Sequence, residues 1–167
     1  MITEKQPGTR TPELYEMIEK IVKAKDKEER VRLIRQFARL SSWTDYLRCV
    51  FDDRIQFNLP GGHVPYTPAA EQSVPTSWHR QNTKLQYFVK GSRKSDPMHP
   101  LKRETMFIGL LEVIHPKDAE IIADMINKKA PEGLEIEDVK EGLPKLLWLV
   151  NQQESPMVNH VNELQNY

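Results

Sequence analysis

This 167-residue chain has a single cysteine, Cys49. An internal disulfide is therefore excluded, and a lone thiol suits a reducing compartment. Cys49 stands beside Val50 and Phe51 in an apolar stretch. It reads as a small core residue, because a reactive thiol needs an electropositive, accessible setting. Net charge is missing as well: Lys+Arg and Asp+Glu each total 24. No global field draws the molecule to nucleic acid or to an anionic surface, so such partners are left only local patches. No run approaches the roughly 18 apolar residues of a membrane span, and no membrane partner is expected. The opening MITEKQPGTR holds no apolar stretch that could serve as a signal peptide. A soluble protein of intracellular type is the expectation.

The motif vocabulary of catalysis is equally thin. There is no phosphate-binding loop, no G-x-G-x-x-G, no C-x-x-C pair, no H-E-x-x-H and no calcium loop. The five histidines are His63, His79, His99, His115 and His160, and no two stand three or four residues apart. They build no local metal site. His99 and His115 each precede a proline that opens a helix, and they read as capping or turn residues. Asp52 and Asp53 are neighbours in an extended segment, so their side chains point to opposite faces and do not converge on one metal. Asp53 with Arg54 is expected to close the corner between helix and extended chain. Glu135, Glu137, Asp138 and Glu141 read as the solvated first turns of a helix, where negative charge suits the dipole. The chain is expected to be no enzyme, with no catalytic residue, no metal and no cofactor.

What is abundant is helical segmentation. Residues 1–10 are polar and read as a flexible N-terminus. Thr11-Pro12-Glu13 reads as an N-cap, a first-turn proline and an acid, opening a helix from 12 to about 24 on Leu14, Met17, Ile18, Ile21 and Val22. Asp26 with Glu29 forms a capping-box pattern for a second helix with Val31, Ile34 and Ala38 on one face and Leu33, Phe37 and Leu40 beside it. Ser42 with Asp45 repeats that signature ahead of Trp43, Tyr46, Leu47, Val50 and Phe51. A fourth helix is read from Ser77 to Lys90, stopped at Gly91. Pro100 opens LKRETMFIGLLEVI, whose apolar residues wrap most of its circumference and place it at the centre of the core. His115-Pro116 starts a sixth helix. A last stretch runs from about Glu137 to Val150, bent at Gly142-Leu143-Pro144, and 151–167 is a polar C-terminal tail. The expected fold is all-α: a compact single-domain bundle of about six to seven helices over 11–150, with an extended Pro/Gly-rich insertion at 52–75.

That insertion, DDRIQFNLPGGHVPYTP, is not a polar linker. Ile55, Phe57 and Leu59 alternate with Arg54, Gln56 and Asn58, the period of a half-exposed extended segment. Pro60-Gly61-Gly62 then forces a turn. Leu59, Pro60, His63, Pro65, Tyr66 and Pro68 are the candidate partner-binding residues, with Tyr66 as anchor, since an aromatic on stiff backbone loses little entropy on binding. Residues 79–103 supply a candidate basic patch: Arg80, Lys84, Lys90, Arg93, Lys94, Lys102 and Arg103 against one acid, Asp96. Trp78, Tyr87 and Phe88 are interleaved with them, as in surfaces that grip phosphates and stack bases. An acidic protein partner fits the same patch.

Three blocks, LRCVFDDRIQFNLPGGHVPYTP, LQYFVKG and LKRETMFIGLLEVIHPKDAEIIADMINKK, together resemble a family of small proteins encoded by T4-like tailed phages, including marine cyanophages. The resemblance rests on Arg48, Phe51, Asp52, Leu59, Pro60, Gly62, Pro65 and Tyr66 in the first block and on Phe88, Val89 and Gly91 in the second. In the third it rests on Arg103, Glu104, Phe107, Ile108, Leu110, Leu111, Glu112, Asp118, Ala119 and Glu120. It departs where Lys102 stands in place of an arginine and at His63-Val64. It implies a phage gene product in a virion or in the cytoplasm of the infected bacterium, and it transfers no catalytic residue. The expectation is a non-catalytic phage protein acting through protein-protein contacts, as a virion component or assembly adaptor, with other phage proteins or itself as partner. The alternatives are a nucleic-acid-associated accessory factor of phage replication or transcription using residues 79–103, and an inhibitor or modulator of a host enzyme. Arg103 and Glu104 are expected to clamp the insertion by pairing with Asp52, Asp53 or Arg54.

Overall fold

A computed structural model describes residues 10–147 of the chain. Seven α-helices and one 3-10 helix appear among the described residues: α1 (Leu14–Val22), α2 (Lys27–Phe37), α3 (Ser41–Phe51), α4 (Trp78–Gln81), the 3-10 helix (Asn82–Tyr87), α5 (Pro100–Leu111), α6 (Pro116–Met125) and α7 (Ile136–Gly142). The fold is all-α. No described helix is long and apolar enough to cross a membrane. The polar tail at 151–167, most of the N-terminal segment 1–10 and the end of the last expected helix lie outside the described residues.

Helix α1 buries Leu14, Met17, Ile18 and Ile21 on one face, as its spacing predicts. Its start differs from the expectation. Glu13, not Thr11, is the N-cap, and the Glu16 carboxylate accepts from the Glu13 backbone N–H at 3.2 Å. The acid four residues into the pattern competes better for that N–H than the threonine does. In α2 the expected cap is present: Asp26 accepts from the Glu29 N–H at 2.9 Å. In α3 the capping reading fails. Leu40 is the N-cap without a side-chain bond, while Ser42 and Asp45 both face inward. Asp45 accepts from the Asn82 amide at 2.8 Å, and the Ser42 carbonyl accepts from the Trp78 indole N–H at 2.9 Å.

Those inward polar groups explain the next departure. The expected helix over 77–90 is a single α-turn followed by a 3-10 helix. Asn82 is drawn to Asp45, and the tighter winding stacks Leu85 and Phe88, three residues apart, on the same buried side. Gly91 then adopts φ +86, the left-handed conformation expected of a C-terminal glycine.

Helix α5 is less enclosed than its composition predicts. Arg103, Phe107, Leu110 and Leu111 are buried, Met106 and Ile108 are half-buried, and Leu101 is 65% exposed. The two His-Pro junctions cap as expected: His99 Nδ1 accepts from the Leu101 N–H and His115 Nδ1 from the Lys117 N–H, at 3.2 and 3.1 Å. Helix α6 packs on α1, α3 and α5, and α7 closes against α2. The acids of α7 are not all solvated, as Asp138 is buried and accepts from Arg30 Nε at 2.8 Å. Gly142, the last residue of α7, lets that helix approach α2 closely, since a Cβ there would stand 3.2 Å from the Val31 carbonyl oxygen.

Candidate functional site

The insertion between α3 and α4 is laid down along α5 and α6 as a strap. Its extended start keeps part of the predicted alternation: Ile55 and Phe57 are buried and Gln56 is exposed. Phe57 forms an isolated antiparallel bridge with Val89, flanked by bonds from Asn58 N to Phe88 O (2.7 Å) and from Lys90 N to Gln56 O (2.8 Å). Arg54, expected to face water, is buried beside Asp52. The Arg54 backbone N–H donates to Asp52 Oδ1 at 2.9 Å and its Nη2 to Oδ2 at 3.3 Å. The residue that closes this corner is therefore Asp52 rather than Asp53, because it is the one turned inward at the end of α3.

Four side chains from the helical body pin the strap. Lys128, just past α6 with φ +59, sends its ammonium to the carbonyls of Cys49, Asp52 and Ile55 at 2.6, 2.8 and 2.8 Å. Burial pushes its pKa down, opposed by the nearby Asp52 and Asp53. These carbonyls lie at the C-terminal end of α3, where unpaired acceptors and the negative end of the helix dipole favour a cation. Its neighbour Asn127 holds the strap's turn by two bonds to Gly62. Glu112 accepts from the Thr67 N–H at 2.8 Å.

Arg103 is the fourth pin, and it differs from both expectations for it. Its guanidinium donates to the carbonyls of Asn58, Ser95 and Met98 at 2.6, 2.8 and 2.9 Å. It is 9% exposed, so it belongs to the interior and not to a basic surface. It clamps the strap through backbone oxygens, not through Asp52, Asp53 or Arg54. Three carbonyls converging from two loops satisfy the planar donor fork better than one carboxylate on the strap could.

Between the pinned strap and the two helices an apolar groove stays open. Leu59, Pro60, His63, Val64 and Pro65 line one side, Glu104, Phe107, Ile108 and Ile126 the other, around a volume of about 110 Å³. Four of the six sequence-derived contact residues, Leu59, Pro60, His63 and Pro65, thus meet in one place. Tyr66 does not line the groove. It is half-buried and packed on the core, where burial and the carboxylates of Glu120 and Asp124 push its phenol pKa up. It holds the strap more than it offers a contact. Pro68 is exposed beyond the groove.

Of the basic segment, Arg80, Lys90, Arg93, Lys94 and Lys102 are exposed and Lys84 is half-buried. The aromatics interleaved with them are largely spent on packing. Trp78 and Phe88 are fully buried, Phe88 edge-on to Phe107 at 5.3 Å, and Tyr87 is half-buried beneath the Lys94 ammonium at 5.6 Å.

Two clusters elsewhere carry reactive groups. Ser42 Oγ lies 2.6 Å from His79 Nδ1, and His79 Nε2 donates to the Pro12 carbonyl at 2.7 Å. The Pro12 carbonyl can only accept, so Nε2 carries a hydrogen, and in a neutral ring Nδ1 is left to accept from the serine, the relation a nucleophile needs. Ser42 is nonetheless only 2% exposed, so the pair ties α3, α4 and the chain before α1 together. The second cluster is Glu13 with Asp118. Asp118 is wholly buried and accepts from the Tyr15 N–H at 2.8 Å. Its pKa is pushed up to about 7, mainly by burial, with the facing Glu13 adding to the rise. Cys49 is buried as expected, and burial pushes its thiol well up. Among the described residues no group of three or more His, Cys, Asp or Glu side chains could hold a metal ion.

A family profile matches residues 17–132, from within α1 to the break after α6. The chain belongs to DUF6433, a family of unknown function. The DUF6433 match takes in the whole strap, all four pinning residues and both walls of the groove, and leaves α7 outside. No curated protein and no solved structure matches the chain. Sequence reasoning missed Asn127 and Lys128 among the site's supports. Their one available signal was a polar Asn-Lys-Lys run at the end of an apolar helix, and it names no partner.

Proposed function

We propose that this chain is a non-catalytic contact protein, a phage gene product serving as a virion component or assembly adaptor. The groove beside the strap is where it receives its partner. One observation carries the reading: a loop of two dozen residues is pinned along its length by buried or bidentate side chains, yet its apolar edge is left uncovered. A wall fixed in advance loses little entropy on binding, the property that makes a contact surface efficient. The volume supports a protein partner. About 110 Å³ takes one apolar side chain, the way interface anchors fill pockets, and falls below the ~300–1,000 Å³ of small-molecule sites. The phage setting rests on the resemblance of the three sequence blocks, and puts the protein in the virion or in the infected cell's cytoplasm.

The test is mass spectrometry of purified particles and of native complexes from infected cells, with the wild-type chain and with His63→Trp, which plugs the groove from an exposed position. The expected result is a phage-encoded partner present with wild type and lost with the variant at unchanged circular dichroism. A complex indifferent to the plug, or no complex at all, would overturn the proposal.

A further inference from the structure

We infer that the groove accepts an apolar side chain from an acidic partner segment; this rests on the contact reading above and adds the partner's chemistry. Three cations lie on the segment that bonds the strap at Gln56 and Asn58, next to Leu59 of the groove wall. Lys90 is paired through its backbone to Gln56, three residues before Leu59 of the groove wall. Arg93 and Lys94 belong to the loop whose Ser95 and Asp96 both accept from the Asn58 amide, at 3.1 and 2.7 Å. Lys102 takes no part, because it stands with Leu101, Thr105 and Met106 on the face of α5 opposite Glu104, Phe107 and Ile108. Lys90, Arg93 and Lys94 all have exposed side chains, and none makes an ion pair with a described residue. Asp96, the acid nearest to them in sequence, is engaged by the Asn58 amide and the Gly91 N–H.

A cluster of unpaired cations beside an apolar slot is complementary to a segment that carries carboxylates next to one apolar residue. The carboxylates must flank the anchor and not lie over it, because Glu104 is on the groove wall and repels negative charge there. Nucleic acid fits less well. Sequence-tolerant strand binding relies on accessible aromatic faces, and here Trp78 and Phe88 are buried while Tyr87 is covered by Lys94. Arg103 is also lost to phosphate contacts, being committed to three carbonyls. Arg80 and Lys84 sit on α4 and the 3-10 helix and take no part.

Fluorescence polarisation on the full chain tests this, using a short fluorescein-labelled peptide of glutamate and aspartate around one central phenylalanine. The comparison probes are that peptide with serine at its centre, a neutral peptide keeping the phenylalanine, and an oligothymidine. The acidic phenylalanine peptide is expected to bind at least roughly tenfold more tightly than each of them. Arg93→Glu with Lys94→Glu should lower its affinity by a similar factor and flatten the salt dependence. His63→Trp should remove the advantage of phenylalanine over serine. Binding indifferent to the central residue, tighter binding of oligothymidine, or no binding of any probe would overturn the inference. A neutral peptide bound as tightly as the acidic one, and lost with His63→Trp, would overturn the acidic partner while leaving the contact reading standing.

Discussion

Asn127 gives Gly62 both halves of a backbone ladder: its Oδ1 accepts from the Gly62 N–H at 2.8 Å and its Nδ2 donates to the Gly62 carbonyl at 3.0 Å. A side-chain amide thereby does for the strap's turn what a neighbouring strand would do. Gly62 has φ +87 with open space where a Cβ would stand, so the obstacle to a side chain there is backbone strain and not crowding.

From this pairing, Asn127→Ala should free the turn without unfolding the protein. Both bonds are solvent-exposed, so the loss in stability is expected to be only about 1 kcal/mol. Amide exchange at Gly62 should nevertheless quicken strongly, because its N–H has lost its acceptor. Gly62→Ala should cost about 1 kcal/mol through strain alone and leave the Asn127 bonds in place. Equal exchange rates in wild type and Asn127→Ala would refute the role given to Asn127.

A larger effect is expected one residue on. Lys128→Met keeps the stem and deletes an ammonium bonded to three carbonyls, leaving those acceptors at the foot of α3 without their donor. Charged hydrogen bonds contribute about 1.5–3 kcal/mol each, partly offset here because the methionine needs no desolvated charge. A net loss of roughly 2–4 kcal/mol in urea unfolding is the expected outcome, with an unchanged m-value. A loss under about 1 kcal/mol would show that water replaces the ammonium.

The contrast between these two residues and the groove explains how much could be read in advance. The helices were legible wherever one apolar face dominates, as in α1 with Leu14, Met17, Ile18 and Ile21. Leu59, Pro60, His63 and Pro65, which line one groove, were legible as parts of one non-helical segment because proline and glycine punctuation separates them from the helical pattern. Composition could not reveal that Ser42 and Asp45 turn inward, since a capping signature and a buried polar pair use the same residue types. Nor could it assign Arg103 and Lys128, whose partners are backbone carbonyls far away in the chain and leave no trace in side-chain identity. Counting Arg103 with the basic surface failed because burial of a polar tip is decided by tertiary neighbours.

Arg103→Lys tests whether geometry or charge matters at the clamp. A lysine keeps the charge but lacks the rigid fork that reaches Asn58, Ser95 and Met98 together. The expected loss is about 2–3 kcal/mol, with faster exchange in both the strap near Asn58 and the loop at 95–98. In a double-mutant cycle, Asp53→Ala and Arg103→Ala should add within about 0.5 kcal/mol, as the two side chains do not share a bond. A coupling well above that value would restore the carboxylate clamp.

The buried Asp118 carboxyl gives the molecule a pH signature whose sign is fixed by the direction of its shift. Its pKa rises from an ordinary 3.8 to about 7 in the folded chain, so the folded state holds this proton more tightly than the unfolded state does. The stabilisation is complete below about pH 4 and fades as pH rises toward 7. The groups facing it are the Glu13 carboxylate, which opposes ionisation, and the backbone N–H groups of Leu14 and Tyr15, which favour it. Asp118→Asn cannot ionise, can still accept from the Tyr15 N–H, and offers its own N–H to Glu13. The variant should therefore match wild type near pH 4.5 and exceed it at pH 8, by an amount on the order of 1–3 kcal/mol. Thermal unfolding at several pH values, wild type against variant, reads the difference directly. A gap that stays constant from pH 4.5 to pH 8, or one that closes as pH rises, would show that Asp118 is ionised throughout and that the α1 N-terminus alone compensates its charge.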